Sequence, residues 1–195
     1  YTFENTAAIL AFMGRKAERA AVREAGGDLD LRDEYGRYSN PTQRAAEGKL
    51  AALEGGEGAV LFATGMAAIT TTMLTLLKAG DHAIVVRDTY RRTREFSQTY
   101  LPRWGVATTL VPVGDPDAMA AAMQPNTRLI FTETPTNPYL RITDLARVAE
   151  LARSAEEAEG RAVTTVVDST FATPINMRPL DLGIDLVIHS ATKYL

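Results

Sequence analysis

Short runs rich in β-branched and other apolar residues recur along most of this chain, at residues 59–62, 83–86, 106–111, 128–132, 162–167 and 185–188. Between most of them lie stretches with helical periodicity, at 65–77, 89–104, 115–123 and 144–159, with Ala79-Gly80 and Gly160 as stop signals. Strand and helix in alternation mean an α/β chain. Four of the runs carry little charge and no strict polar alternation, so helices are expected on both faces of a mainly parallel sheet. Upstream, Thr42 is the expected cap of a helix whose Ala46, Leu50 and Leu53 share a face, and Gly55-Gly56 ends it. Residues 1–34 read as an arm with an amphipathic segment.

Residues 58–77 contain no charged side chain, which tests a membrane reading. Five threonines interrupt the stretch, and Gly65 divides a β-favouring part from an Ala/Met/Leu-rich part. A strand, a turn and a buried helix explain it better than a span. The chain has neither an initiator Met nor a basic-then-apolar leader, so a portion of a longer, cytoplasmic protein is expected. With 21 basic and 24 acidic residues, no strong field draws nucleic acid or an acidic membrane. The absence of cysteine excludes disulfides, thiolate metal sites and a Cys nucleophile. His82 and His189, without a carboxylate or second His at ligand spacing, are assigned to structure, and Glu156-Glu157-Ala158-Glu159 to a solvated helix end.

In open α/β sheets ligands collect where strands end, and the residues following these runs are polar and specific. They are Thr64-Gly65-Met66, Arg87-Asp88-Thr89-Tyr90, Glu133-Thr134-Pro135-Thr136-Asn137-Pro138, Asp168-Ser169-Thr170 and His189-Ser190-Ala191-Thr192-Lys193. Gly55-Gly56-Glu57-Gly58 is no dinucleotide fingerprint, because it ends a helix and precedes a strand. Gly48-Lys49-Leu50 lacks the hydroxyl of a Walker motif. The strand exits instead carry the parts of a pyridoxal phosphate site. Lys193 can bond an aldehyde, Asp168 can keep a pyridine nitrogen protonated, and Tyr90 can cover a ring. Gly65, with the helix start behind it, and the hydroxyls of Ser190 and Thr192 suit a phosphate.

Together, Tyr35-Gly36-Arg37-Tyr38-Ser39-Asn40-Pro41-Thr42, Thr64-Gly65-Met66-Ala67, the Glu133 and Asp168 segments and His189-Ser190-Ala191-Thr192-Lys193-Tyr194 carry a resemblance. From about residue 35 onward the chain resembles the cysteine and methionine metabolism family of pyridoxal phosphate enzymes, and within it the plant-type cystathionine γ-synthases. The resemblance implies the aspartate aminotransferase type of fold, with residues 35–195 forming the N-terminal part of the large cofactor-binding domain. A C-terminal domain carrying the substrate-carboxylate Arg would lie outside this chain.

The same resemblance implies pyridoxal 5'-phosphate as cofactor, Lys193 as its covalent anchor, Asp168 at the ring nitrogen and Tyr90 stacked on the ring. Gly65, Met66, Ser190 and Thr192 would hold the phosphate; Asn137 would lie near the phenolic oxygen and Thr170 near the ring. Tyr35 and Arg37 would reach the phosphate of a neighbouring subunit, which implies a homodimer with shared sites, assembled further into a tetramer. The implied activity is γ-replacement on an activated homoserine with cysteine. Methionine or cystathionine γ-lyase, cystathionine β-lyase, acylhomoserine sulfhydrylase and an inactive binding relative are the alternatives. A freed Lys193, desolvated and with a lowered pKa, would move protons. Tyr90-Arg91-Arg92-Thr93 stands where many members have Tyr-Gly-Gly-Thr, a basic version associated with the plant-type synthases, and Ser169 replaces a common Asn. Arg87, Arg91, Arg92 and Arg94 are either a solvated helix face or a positive field for a dianionic substrate.

Overall fold

The computed structural model describes residues 3–24, 35–36 and 40–195, and the chain divides into two compact units, Tyr1–Lys49 and Leu50–Leu195. In the first unit, helix α1 (Thr6–Glu24) follows Phe3, whose ring packs 5.3 Å from that of Phe12. Helix α2 spans Pro41–Glu54. Its cap is Asn40, two residues earlier than the expected Thr42, because the Asn40 side-chain oxygen accepts the Thr42 and Gln43 N–H groups at 2.9 and 3.3 Å. Pro41 then occupies the first helical position, where its missing N–H costs nothing.

Five parallel strands form the second unit's sheet: β1 (His82–Val86), β2 (Ala107–Val111), β3 (Thr127–Glu133), β4 (Thr164–Asp168) and β5 (Leu186–Ile188). Their order is β2-β1-β3-β4-β5, so the chain reverses its direction of travel across the sheet between β1 and β3. The continuous apolar runs are sorted by the pleat. Ala83, Val85, Leu129, Phe131 and Val166 face one core with Ile69 and Met73 of α3 (Gly65–Leu76) and with Leu101. Ile84, Val86, Ile130 and Val167 face the other, against Met119 of α5 (Pro116–Ala121) and Leu145, Val148 and Ala152 of α6 (Leu145–Glu159). Both faces of the central strands are thereby covered, which explains why the runs show no polar alternation.

Two expectations fail. Residues 59–62 join no strand, and Val60 and Phe62 are 71% and 40% exposed. A four-residue apolar run is ambiguous without a neighbour to pair with, and none of the five strands of the sheet takes it up. Residues 89–104 do not make one regular helix. Helix α4 (Arg91–Glu95) passes into a π-helical turn (Phe96–Tyr100) and a 3-10 turn (Leu101–Trp104). Pro102 lacks the N–H that would continue the α pattern; Phe96 stacks on Tyr100 within the wider π-helical turn, and the tighter 3-10 turn begins at the buried Leu101. No helix among the described residues is long and apolar enough to cross a membrane.

Candidate active site

All of the polar exits singled out above open at the C-terminal end of the sheet, around one cavity of about 400 Å³. Its lining includes Thr64, Gly65 and Met66 before and within α3, Tyr90 after β1, and Glu133 and Asn137 at the end of β3. Asp168 and Thr170 come from the end of β4, and Ser190, Thr192 and Lys193 follow β5. The reversal of strand order between β1 and β3 separates the Tyr90 and Glu133 exits, the place where α/β sheets leave a crevice.

The anion-binding part starts at α3. Thr64 caps the helix by accepting the Ala67 N–H at 2.9 Å, which leaves the first-turn N–H groups of Gly65 and Met66 without an intrahelical acceptor. A Cβ on residue 65 would lie 2.9 Å from Ser190 Cβ and 3.0 Å from Ser190 Oγ, so only Gly permits the β5 exit to close against the helix start. The Ser190 and Thr192 hydroxyls are 3.1 Å apart, and Lys193 Nζ donates to Thr192 Oγ1 at 2.8 Å. Donors, dipole, hydroxyls and a cation converge on this corner, a donor set suited to phosphate.

Asp168 ends β4 and is almost fully buried. Its Oδ1 accepts the Thr170 hydroxyl at 2.5 Å and the Thr170 N–H at 3.1 Å. The same Thr170 oxygen accepts the Ser190 N–H at 2.9 Å, so one hydroxyl ties the carboxylate to the β5 exit. Burial is the main influence on Asp168 and pushes its pKa up; the Thr170 bonds and the charges of His189 and Lys193 act in the opposite direction. A cation or N–H⁺ brought to Asp168 would relieve that cost.

Sequence reading gave no role to two further acids here. Glu133, 5% exposed, accepts the Tyr90 N–H at 2.6 Å and the Asn137 N–H at 3.0 Å, one on each oxygen. Its pKa is raised to about 7, first by burial and then by the neighbouring Asp168 charge. Glu54, at the end of α2, lies 2.5 Å from His189 Nε2, with both side chains about nine-tenths buried. His189 therefore does have a carboxylate partner, 135 residues away, where no local spacing rule would find it. His82, by contrast, is buried between Thr127 and Thr109 hydroxyls at 2.8 and 2.9 Å, as a structural histidine should be.

Lys193 is exposed, so the packing of this chain does not supply the desolvation expected for it. Arg92 pairs with Glu95 at 2.6 Å and Arg94 donates to the Arg87 carbonyl at 2.9 Å, so this part of the basic run is engaged locally. Tyr35 is 49% exposed in the first unit, and Arg37 lies outside the described residues. Among the described residues no cluster of His and acidic side chains is arranged to hold a metal.

Residues 11–195 match the model of a family described as Cys/Met metabolism PLP-dependent enzymes. The chain is 45% identical over 163 residues to chloroplastic cystathionine gamma-synthase 1 of Nicotiana tabacum, covering 83% of this chain and 29% of that protein. It is also 45% identical over 161 residues to L-methionine gamma-lyase of Pseudomonas putida, covering 83% and 39%. In three dimensions it is similar to the crystal structure of metB from Corynebacterium glutamicum, with a TM-score of 0.78 and 43% identity over 85% of this chain and 42% of that one. The chain thus spans less than half the length of each of these relatives. The family match over residues 11–195, with 45% identity to relatives over 83% of its length, places this chain in the Cys/Met metabolism family of pyridoxal phosphate-dependent enzymes.

Proposed function

We propose that this chain forms the cofactor-holding part of an enzyme that replaces or eliminates the γ-substituent of an amino acid, with cystathionine γ-synthase as the specific assignment. The observation that carries the reading is the meeting of Lys193, Asp168 and the Gly65–Ser190 corner around one cavity, although they come from the β4 exit, the β5 exit and the start of α3. Pyridoxal phosphate, when bound, supplies an electron sink that stabilises negative charge at the substrate's α-carbon. The chain's own residues divide the remaining work. Gly65 and Met66 N–H groups with the Ser190 and Thr192 hydroxyls hold the phosphate. Asp168 would keep a proton on the ring nitrogen, Tyr90 would cover the ring, and Asn137 and Thr170 would help to hold it. Lys193 anchors the cofactor and, once its amine is free, takes and returns protons at the substrate carbons, with Thr192 fixing where that amine points.

A phosphate dianion calls for more cationic help than the cavity offers, because Lys193 is the one cation among its described lining residues. Arg37 is proposed to supply that charge across a two-fold interface, with Tyr35 reaching the same phosphate, in a dimer that assembles to a tetramer. Mixing the full-length Arg37→Ala and Lys193→Ala variants under subunit exchange should restore part of the activity, since a hybrid dimer holds one site with neither defect. A mixture that stays inactive although hybrids form would place Arg37 in its own subunit's site.

Synthase is preferred over lyase on the basic Tyr90-Arg91-Arg92 exit, in which Arg91, next in sequence to the cavity residue Tyr90, is exposed and proposed to attract an anionic substrate. The deciding experiment gives the full-length protein an activated homoserine with and without cysteine. Cystathionine as the main product supports the synthase; an oxo acid and ammonia in the presence of cysteine assign a γ-lyase instead.

A further inference from the structure

We propose that Glu133 is a positioning residue of this site: its ionised carboxylate clamps the β1 and β3 exits together and so fixes where Tyr90 and Asn137 stand. Glu133 is the last residue of β3, on the sheet beside β1 and β4, and in register with Asp168. Its two oxygens are divided between two loops, Oε2 taking the Tyr90 N–H and Oε1 the Asn137 N–H. These are backbone bonds, so they place the segments rather than the side-chain tips. The Tyr90 bond also bridges the crevice between β1 and β3, beyond their last ladder pair, Val85 with Phe131, while the Asn137 bond fixes the β3 exit to its own strand end.

The division has a chemical consequence. A carboxylate accepts on both oxygens, whereas a carboxylic acid turns one of them into a hydroxyl and a poorer acceptor. A neutral Glu133 therefore holds one exit well and the other weakly. The groups facing it are Asp168 on β4, the Tyr90 segment and, across the cavity, Lys193; His189 acts on Asp168. Of the neighbouring charges, Asp88 is engaged with Arg141 at 2.6 Å and Arg94 with the Arg87 carbonyl, while the Arg87 and Arg91 side chains are exposed to solvent. Helix α3, which forms the adjacent wall, carries no charged residue. Burial and Asp168 raise the Glu133 pKa to about 7, so the clamp closes as pH rises through neutrality.

The use of the clamp, holding a ring cover and a cofactor neighbour, rests on the function proposed above; the clamp itself is measured separately. Amide hydrogen exchange on the cofactor-free full-length protein should show Tyr90 and Asn137 protected at pH 8 and less so at pH 6, after correction for intrinsic exchange. In Glu133→Gln, protection of both should fall by roughly ten- to a hundredfold at pH 8 and lose its pH dependence. Protection of Leu129 and Phe131, on the same strand, and the global unfolding midpoint should not fall. Unchanged Tyr90 and Asn137 amides would overturn the proposal, and so would a loss spread along β3 with a lower midpoint, which would make Glu133 a core residue. A second arm measures pyridoxal phosphate affinity, expected to weaken in Glu133→Gln. Wild-type protein that binds no pyridoxal phosphate would defeat the cofactor reading while the exchange data still judge the clamp. Equal affinity in the wild type and the variant would overturn the positioning role.

Discussion

At the N-terminal ends of the strands, His82 is fully buried with threonine hydroxyls against both ring nitrogens and Gln124 nearby. At the C-terminal ends, 5 residues of strand away, Glu133 and Asp168 are buried side by side, and Glu54 Oε2 and His189 Nδ1 have no hydrogen-bond partner. At the first end His82 has both ring nitrogens satisfied internally. The other holds two carboxylates whose pKa values are both raised, an arrangement that costs stability until a cationic ligand arrives. A sheet can thus keep its rigidity at one end and its chemistry at the other, with the apolar layers of Phe131, Ile130 and Val166 between them.

The largest effect that would sharpen this contrast is at Lys193. Lys193→Ala should remove the borohydride-sensitive visible band of the full-length protein and lower turnover by about a thousandfold or more. The unfolding midpoint should stay unchanged, since the side chain is exposed. Asp168→Asn comes next, with turnover reduced by about a hundredfold to a thousandfold and stability at pH 7 equal to or above wild type. A marked loss of stability in that variant would break the comparison, because it would make Asp168 a stabilising group like His82.

A smaller and opposite effect belongs to the other end. His82→Ala should cost about 2–4 kcal/mol, read from denaturant unfolding, by opening a cavity and leaving the Thr109 and Thr127 hydroxyls without their ring partner. Cofactor affinity should hardly change.

The smallest effect is in pH dependence, and its sign differs between the ends. Burial lowers the His82 pKa, so the unfolded chain takes up the proton first and acidification below about 6.5 removes stability. Glu133 is raised from 4.5 to about 7, so the folded chain takes up the proton first and acidification across that window adds stability. Comparing unfolding free energies between pH 8 and 5, His82→Gln should flatten the destabilising component and Glu133→Gln the stabilising one. Identical pH slopes in the two variants would contradict the assignment.

Much of this layout is legible in the residues because an apolar run followed by a polar cluster marks a strand and its exit wherever a neighbouring strand pairs with the run. Asp168 after Val167, and Ser190 to Lys193 after Ile188, were visible for that reason. The clamp was not, since Glu133 reads as one more polar residue in its exit until the Tyr90 N–H, 43 residues away, is brought to it. The Glu54–His189 pair was hidden in the same way, by a separation of 135 residues. Residues 59–62 misled because β-branched composition describes a segment, whereas a strand needs a partner. The 89–104 stretch misled because helical periodicity does not reveal a π-helical turn.

The most direct test of the claim that the C-terminal strand ends form a pyridoxal phosphate site is to reduce the cofactor-loaded full-length protein with borohydride and map the modified peptide by mass spectrometry. Within these 195 residues there are four lysines, Lys16, Lys49, Lys78 and Lys193. The account requires the pyridoxyl group on Lys193, beside Thr192 and facing Asp168 across the cavity; its appearance on any other lysine would contradict it.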